Sequence, residues 1–515
     1  MNQSKYIDII NRCLLLFVFI GVGFSLYNYC NNRSLWADEA QLALNISHKN
    51  WIQLLRPLDM NQVAPIGFLF TQKLLINILG DHDWVLRLMP FVAFLISIPL
   101  LIRIVQIKFN SDSLAFFTAA LFVLNSSILY YSSEVKQYSI DVLITVWIWY
   151  TLVKYDSLKT AKAVLIVSMV GVVGVFFSNV AIIILFTSGI LLLFQQLIEH
   201  KKFNLVVFIP LFFWSISFSV YFLLFIKNHP SKEFMTHYWD ARKSFPPHQI
   251  LSPAFRLFLF RKAQILFSSF SDIRFGWFVF IAFFSIGITS LLKKIEVLFF
   301  CIAPLFIHFI LSYFRWYPFE TRLMLYLIPM MILVFSFGLL RTLFYLQKRT
   351  GKNIVFAASL LPLLLLVISI SQSLPVQREE TKSSIDFISE NISGDENVFV
   401  YYIANPSYNY YKKDYPLIAA KHAAVFGNWN IHGCGQSFLL GKDYRSPTIS
   451  DNELLNTSGR FWLLFSGVPE SDYFKINGEN EETHYIKQFL KYRFTVLKQR
   501  SFVGSSCYLV QNTKQ

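Results

Sequence analysis

The stretch that decides the fold lies near the start of the chain, where an apolar run is followed by a pair of acids. Residues 12–30 read RCLLLFVFIGVGFSLYNYC, and residues 34–40 read SLWADEA. A membrane-spanning helix needs about 20 mostly apolar residues, and the first run has nearly that length. The pattern predicts a membrane anchor whose outer end carries two adjacent carboxylates, Asp38 and Glu39.

The composition of the 515 residues extends this prediction to the whole chain. Hydrophobic residues make up 55% and charged residues only 15%, whereas a soluble chain carries about a quarter charged residues. This excludes disorder, a coiled coil, collagen and an ordinary soluble enzyme. The net charge is +15, from 46 basic and 31 acidic residues. We interpret it as the basic bias of cytoplasmic loops and expect no nucleic-acid partner.

Apolar segments recur along the chain and predict a mainly α, polytopic membrane protein with about eleven spans. Their basic flanks, including Arg103, Lys154, Lys293 and Arg341, fall on one side if all eleven segments span, and that side is expected to be cytoplasmic. No small-residue cleavage site follows the first span, so we expect an uncleaved anchor. The segments are about 12–30, 84–107, 113–132, 138–154, 162–178, 180–198, 203–227, 275–292, 295–313, 322–346 and 353–374.

Two domains follow from these spans. Residues 1–374 form the transmembrane domain, with outer loops 31–83 and 228–274, and residues 375–515 form a small extracytoplasmic α/β domain. In that domain strands are expected at Asn397–Ile403, Phe461–Phe465 and Cys507–Val510, and helices at Thr381–Glu390 and Thr483–Tyr492. Cys434 and Cys507 lie in this domain and either pair or remain free thiols. Five cysteines are too few for a disulfide scaffold.

The acid pair is the first candidate functional motif. Neighbouring helical residues point about 100° apart, so one acid can face a reaction cavity while the other makes structural contacts. The alternative is that both acids simply favour the positive end of a helix dipole. The stretch Ala40–Leu55 has the apolar spacing of an interfacial amphipathic helix. Residues 63–80, which include Lys73, predict a second interfacial or re-entrant helix.

Two further clusters are expected on the same outer side. Glu134, Lys136 and Tyr138 lie between the third and fourth spans, and Tyr317 and Arg322 lie between the ninth and tenth. Alternating charges and arginine suit a phosphate ligand. The alternative is an interfacial belt of aromatic and snorkelling basic side chains. The spacing of the histidines in the loop 228–274 matches no standard zinc pattern.

These motifs together resemble the GT-C superfamily of membrane glycosyltransferases. More closely, they are similar to bacterial members of the glycosyltransferase family 39, protein mannosyltransferase and aminoarabinose transferase group. The resemblance covers most of residues 12–350. It rests on Leu35–Ala40, Ala64-Pro65 with Lys73 and Gly80, Arg87–Pro90, Glu134–Ser139, and Tyr317-Pro318 through Arg322.

The resemblance implies inverting transfer of a hexosyl or pentosyl group from a polyprenyl-phosphate donor to a glycolipid, polysaccharide or protein. It implies Asp38 as the general base, with Glu39 orienting the acceptor or supporting the cavity. Lys136 and Arg322, and further Arg87 and Lys73, would bind the donor phosphate, while Glu134, Tyr138 and Tyr317 would contact substrate. The expected location is a bacterial inner or plasma membrane.

The sequence leaves alternatives open for metal dependence and for the kind of activity. No metal ligand set is visible, so no cofactor is expected, although a divalent ion could bridge Asp38, Glu39 and a phosphate. A transporter or flippase of lipid-linked glycans would also have many spans and a basic face. A polysaccharide polymerase or ligase would move whole glycans from the lipid carrier.

Overall fold

A computed structural model describes residues 3–155, 158–199, 205–268, 276–351, 357–427, 448–468, 478–492 and 494–512. The chain forms two compact units, each built from separate segments. The first comprises Met1–Cys30, Ala64–Thr71 and Arg87–Pro375, and the second comprises Asn31–Val63, Gln72–Leu86 and Val376–Gln515.

Helices dominate the first 373 residues. They are α1 (Gln3–Asn31), α2 (Ala37–His48), α3 (Ile66–Leu79), α4 (Asp83–Phe109), α5 (Asp112–Val123), α6 (Ser126–Tyr131), α7 (Tyr138–Lys154), α8 (Ala161–Phe177), α9 (Ala181–Glu199), α10 (Phe208–Tyr221), α11 (Lys232–Ala241), α12 (Pro253–Ser268), α13 (Gly276–Leu291), α14 (Ile295–Tyr313), α15 (Ile328–Thr350) and α16 (Leu360–Ser373).

Where the structure describes them, the eleven apolar segments are largely helical. The predicted fold class, a polytopic helical membrane protein with a small C-terminal sheet, is confirmed. Within the described residues, five helical stretches are long and apolar enough to cross a membrane by themselves. These are Lys5–Asn31, Asp83–Phe109, Leu205–Ile226, Gly276–Tyr313 and Thr321–Thr350. The other apolar helices are shorter.

Local sequence explains where two predicted spans depart from one regular helix. The segment 113–132 divides into α5 and α6 because the Asn125 side chain accepts a hydrogen bond from Ile128 N at 3.0 Å and starts a new helix. The segment 322–346 begins as a 3-10 helix, Thr321–Leu327. Pro329 then lies in the first turn of α15, where its missing N–H costs little.

Glycines allow α13 and α15 to pack closely in the first unit. A Cβ atom at Gly338 would lie 1.9 Å from the carbonyl oxygen of Phe283, and one at Gly287 would lie 2.0 Å from that of Val334. Only residues without a side chain fit such a crossing. These positions therefore fix how closely the two helices approach.

A five-stranded sheet organises the C-terminal part of the second unit. Its strands are β1 (Asn397–Tyr401), β2 (Ala423–Phe426), β3 (Arg460–Ser466), β4 (Phe494–Phe502) and β5 (Ser505–Asn512). The order is β2-β1-β3-β5-β4, with β1 parallel to β2 and β3, and β5 antiparallel to β3 and β4. The helices after residue 380 are α17 (Thr381–Asn391), α18 (Asn405–Tyr411), α19 (Pro416–Ala419), α20 (Asp451–Leu455) and α21 (Glu481–Lys491).

The three strands and two helices predicted for this domain are present, and two strands were missed. The missed strands, β2 and β4, lie at the two edges of the sheet. β2 has only four residues, and in β4 polar and apolar residues are mixed and only Phe494 is buried. The apolar run of β2 is too short to be recognised as a strand, and the exposed residues of β4 give little apolar pattern.

The segment predicted to form an interfacial amphipathic helix is largely helical and packs within the second unit. The segment Ala40–Leu55 forms most of α2 and a short 3-10 helix, Gln53–Leu55, and α2 is buried from Ala40 to Ile46. In the second unit α2 packs against α18. Its apolar spacing therefore reflects packing within the protein.

Candidate functional site

The acid pair lies in the first turn of α2, and its two members have different surroundings. Glu39 is completely buried, whereas Asp38 is only partly buried. This agrees with the roughly 100° that separates neighbouring side chains on a helix. Asp38 is therefore the member of the pair that solvent or a substrate can reach.

Glu39 makes the contacts of a structural residue. Its Oε2 lies 2.8 Å from Arg33 Nη1, and its Oε1 accepts a longer bond of 3.4 Å from Nη2. The backbone N–H of Trp36 also donates to Oε2 at 3.4 Å. Two-point pairing with a buried guanidinium gives both charge balance and a fixed orientation. Glu39 thus joins the segment before α2 to the start of the helix.

Gln62 contacts the more exposed acid from the loop after α2. Its Nε2 donates to Asp38 Oδ1 at 3.3 Å and to Gln41 Oε1 at 2.7 Å. The Gln62 side chain is buried. It therefore limits the rotamers of Asp38 while leaving that carboxylate accessible.

Residues of the C-terminal domain hold the backbone just before Asp38. Glu379 Oε2 accepts from Ala37 N at 2.9 Å, and Glu380 Oε2 accepts from Ser34 Oγ at 3.0 Å. Tyr411 OH accepts from Leu35 N at 2.6 Å. The Arg378 guanidinium stacks 3.4 Å from the centre of the Trp36 ring. Sequence reasoning missed these residues; the only signal was a charged run, Arg378-Glu379-Glu380, directly after the last predicted span.

Burial raises the pKa of the Glu379 carboxyl above its ordinary value. The Ala37 N–H and the Arg378 charge oppose this shift, and the carboxylates of Glu39 and Asp38 add to it. Glu379 is therefore electrostatically linked to the acid pair as well as hydrogen-bonded to the start of α2.

Lys73, a predicted phosphate ligand, lies at the opposite end of α2. Its Nζ donates to the carbonyl oxygens of Ile46 and Ser47, each at 2.9 Å. A cation there satisfies terminal carbonyls and complements the helix dipole. These two bonds use two of the three N–H donors of the Lys73 ammonium group.

The first unit contains the other predicted site residues. Glu134, Lys136 and Tyr138 are buried at the start of α7. The ring of Tyr138 packs edge-on against Tyr131, with centroids 5.1 Å apart. The 3-10 helix Thr321–Leu327, which contains Arg322, packs against α7. The fold thus brings together two clusters that are far apart in sequence.

The loop before that 3-10 helix is fixed by polar contacts. Glu320 Oε2 lies 3.0 Å from Lys262 Nζ and 2.8 Å from Ser244 Oγ. Burial opposes ionisation of Glu320, but Lys262 and these hydrogen bonds together lower the pKa of its carboxyl. Arg322 lies over the Trp239 ring at 4.9 Å. A guanidinium held against an aromatic face can still bind an anion through the N–H groups at its edge.

Tyr317 and Arg87 complete the predicted set. Burial of its hydroxyl raises the pKa of Tyr317, so this phenol keeps its proton and can donate a hydrogen bond. The Tyr317 ring packs against His308, with centroids 5.1 Å apart. Arg87 is only 1% exposed near the start of α4. Both residues belong to the first unit, whereas Asp38, Glu39 and Lys73 belong to the second.

The remaining candidate features of the site are a metal-ligand set and a cysteine pair. Among the residues that the structure describes, no group of three or more His, Cys, Asp or Glu side chains could hold a metal ion. Cys507 is buried in β5. Its predicted partner Cys434 lies outside the described residues, so their pairing stays a prediction.

Comparison with known proteins identifies the fold. No family model and no curated protein sequence matches this chain. The structure of ArnT from Cupriavidus metallidurans bound to undecaprenyl phosphate is similar over 98% of this chain and 98% of that chain, with a TM-score of 0.55 at 10% identity. The chain has the fold of this ArnT structure, as the resemblance to the GT-C superfamily predicts.

Two other solved structures are similar. The apo structure of ArnT from Cupriavidus metallidurans matches with a TM-score of 0.50 and 10% identity, over 99% of this chain and 98% of that chain. The oligosaccharyltransferase AglB from Archaeoglobus fulgidus, in complex with an inhibitory peptide and a dolichol-phosphate, has a TM-score of 0.48 and 11% identity. That match covers 97% of this chain and 74% of AglB.

Proposed function

We propose that this GT-C protein transfers a sugar, a hexosyl or pentosyl group, from a polyprenyl-phosphate donor to an extracytoplasmic glycolipid, polysaccharide or protein. The observation that carries the proposal is the partly exposed Asp38 beside the completely buried Glu39. A general base needs an accessible carboxylate, and rigid neighbours keep such a group in place. The fold shared with ArnT, which was crystallised with undecaprenyl phosphate, supports the lipid-phosphate donor.

The proposed reaction is a single displacement. The acceptor hydroxyl or amine gives its proton to Asp38 and attacks the anomeric carbon of the sugar. The bond from that carbon to the phosphate oxygen breaks, and polyprenyl phosphate leaves with the electron pair. Attack opposite the leaving group inverts the anomeric configuration. Glu39 supports the base through Arg33.

The residues of the first unit are assigned to the donor and its substrate contacts. Lys136 and Arg322, together with Arg87, would stabilise the charge that develops on the leaving phosphate. Glu134 and Tyr138 are proposed to contact substrate, and Tyr317 to donate a hydrogen bond from its protonated phenol. We also propose a bacterial inner or plasma membrane location, with the domain after residue 375 outside the cytoplasm.

Turnover of a radiolabelled polyprenyl-phosphate sugar by membranes tests the proposal. Wild-type protein should move the label to an acceptor, and Asp38→Asn should lower the rate by about 10²–10⁴-fold because the general base is lost. Asp451→Asn is the matched control, since Asp451 lies in the first turn of α20, another helix of the second unit. It should transfer at the wild-type rate.

Other results would contradict specific parts of the proposal. Full activity of Asp38→Asn would remove the assignment of the base. Translocation of the labelled lipid without transfer would favour a transporter, and movement of a whole glycan would favour a polymerase or ligase. Parallel assays with a chelator test the divalent ion that could bridge the acids and a phosphate.

A further inference from the structure

The short segment Arg378–Glu380 connects the C-terminal sheet, through hydrogen bonds, to the loop and first helical turn that carry Asp38. Glu380 N donates to Val503 O at 2.8 Å, in the turn between β4 and β5. On its other side this segment accepts the hydrogen bonds of Ser34 and Ala37. The contacts form a continuous path, within the second unit, from the sheet to the first turn of α2.

Two glycines make room for this segment. A Cβ atom at Gly504 would lie 2.0 Å from Arg378 O, and one at Gly467 would lie 3.0 Å from Glu379 Cδ. Both glycines have positive φ values, +63° and +68°, a conformation that favours glycine. The turns at this end of the sheet therefore leave space for the backbone of Arg378 and the carboxylate of Glu379.

The charges around Glu379 show how it could affect the base. Asp38 and Glu39 face it from α2, Arg33 pairs with Glu39, and Arg378 and Glu380 flank it in sequence. Glu379 is 9% exposed. A negative charge in such a place opposes ionisation of a neighbouring carboxyl and so makes that carboxylate a stronger base.

We propose that Glu379 is a positioning residue for Asp38, an inference that rests on the proposed transferase function. It holds Ala37 N so that α2 begins at that residue and presents Asp38 in its first turn. Its charge strengthens the neighbouring base. The C-terminal domain thereby takes part in forming the catalytic site, beyond any role in acceptor selection.

Two substitutions separate the hydrogen bond from the charge. Glu379→Gln keeps an oxygen that can accept from Ala37 N but removes the charge, and Glu379→Ala removes both. We expect Glu379→Gln to lower kcat by about tenfold and to shift the acidic limb of the pH–rate profile to lower pH. We expect Glu379→Ala to lower kcat by about 10- to 100-fold, since small displacements of a catalytic group are costly. The KM for the donor should stay within about twofold of wild type.

Stability provides a readout that a purely structural residue would not share. The pKa of Glu379 is raised, so its ionised form costs folding stability once the pH exceeds the ordinary glutamate value. Glu379→Gln removes that cost, and its melting temperature should not fall below that of wild type. Glu481→Gln is the matched control, because Glu481 is also buried and accepts from Tyr401 OH at 2.8 Å. It should leave the pH–rate profile unchanged.

The close approach of Gly504 to the carbonyl oxygen of Arg378 offers an independent test of positioning. Gly504→Ala should lower kcat, because the new methyl group collides with Arg378 O. Gly459→Ala is its control, since Gly459 also has a positive φ of +79°, but a Cβ atom there would meet no atom within 4 Å. Both variants bear the backbone strain, so a loss of kcat confined to Gly504→Ala supports the path from the sheet to Asp38.

The outcomes distinguish the two proposals. If wild-type protein transfers sugar while Glu379→Gln retains the wild-type kcat and pH–rate profile, the positioning role is wrong and the transferase function stands. If Glu379→Ala does not fold, Glu379→Gln decides the question. If wild-type protein transfers no sugar from any donor tested, the proposed function is overturned, and this inference with it.

Discussion

Asp38 and Glu39 are adjacent in the chain, yet their side chains differ sharply in exposure. Glu39 is enclosed and paired with Arg33 on both carboxylate oxygens. Asp38 is partly exposed and accepts a 3.3 Å bond from Gln62. The division follows from helix geometry, because one face of α2 must be packed while the next residue turns away from it.

Loss of the buried ion pair between Arg33 and Glu39 is expected to destabilise the folded protein. Glu39→Gln removes the negative charge that pairs with the Arg33 guanidinium, which is 5% exposed. Removing one member of a buried pair costs about 3–5 kcal/mol. Thermal unfolding of the purified protein in detergent measures the loss.

A double variant serves as the control for this prediction. Arg33→Met combined with Glu39→Leu should recover most of the stability, because an apolar pair leaves no buried charge. A Glu39→Gln protein that melts at the wild-type temperature would contradict the structural role of Glu39.

The helices of this protein are held by specific contacts at their ends and crossings. α2 is hydrogen-bonded by Glu379 at its N-terminus and by Lys73 at its C-terminus. α13 and α15 approach closely at Gly287 and Gly338. Apolar spacing alone predicts that these helices exist, but such contacts determine where each one lies.

The close crossing of α13 and α15 predicts that a larger residue at Gly338 will destabilise the protein. Gly338→Ala places a methyl group against Phe283 O, so the helices must separate, and overpacking of this kind costs about 1–3 kcal/mol. Gly23→Ala is the control, because a Cβ atom at Gly23 in α1 would meet no atom within 4 Å. Thermal unfolding in detergent should show a loss for Gly338→Ala alone. Equal melting temperatures for the two variants would contradict the close crossing.

At the scale of the whole molecule, the second unit is assembled from separate parts of the chain. It comprises Asn31–Val63, Gln72–Leu86 and Val376–Gln515. α18 is buried along its whole length and packs against α2. Ser407 Oγ donates to Leu35 O at 3.0 Å. Residues 31–63 and 72–86 therefore supply part of the core on which the C-terminal domain packs.

This assembly predicts how the C-terminal domain behaves alone. A fragment of residues 376–515 would expose the face of α18 that packs on α2, so it should bind a hydrophobic dye and unfold without a sharp thermal transition. A fragment that also carries residues 31–86 through a flexible linker should show cooperative unfolding. Sharp, identical transitions for the two fragments would show that the domain folds independently of the first loop.

Much of the fold could be predicted from the sequence because its signals are local. A long apolar run predicts a helix wherever it occurs, and the buried strands β1, β3 and β5 have recognisable apolar residues. The edge strand β2 is apolar but only four residues long, and β4 has a single buried residue, so neither has a recognisable strand signal. Asp38 could also be selected as a candidate from the sequence, because its acid pair directly follows the first span.

Only the tertiary structure determines which residues support the acid. Ala37 and Glu379 are 342 positions apart, and no periodicity or composition links two residues so distant in the chain. Their contact depends on the turn at Gly504 and on the packing of α18 against α2. The sequence determined that helices and an acid pair are present, because both depend on neighbouring residues. The environment of each acid was decided by contacts that exist only once the chain has folded.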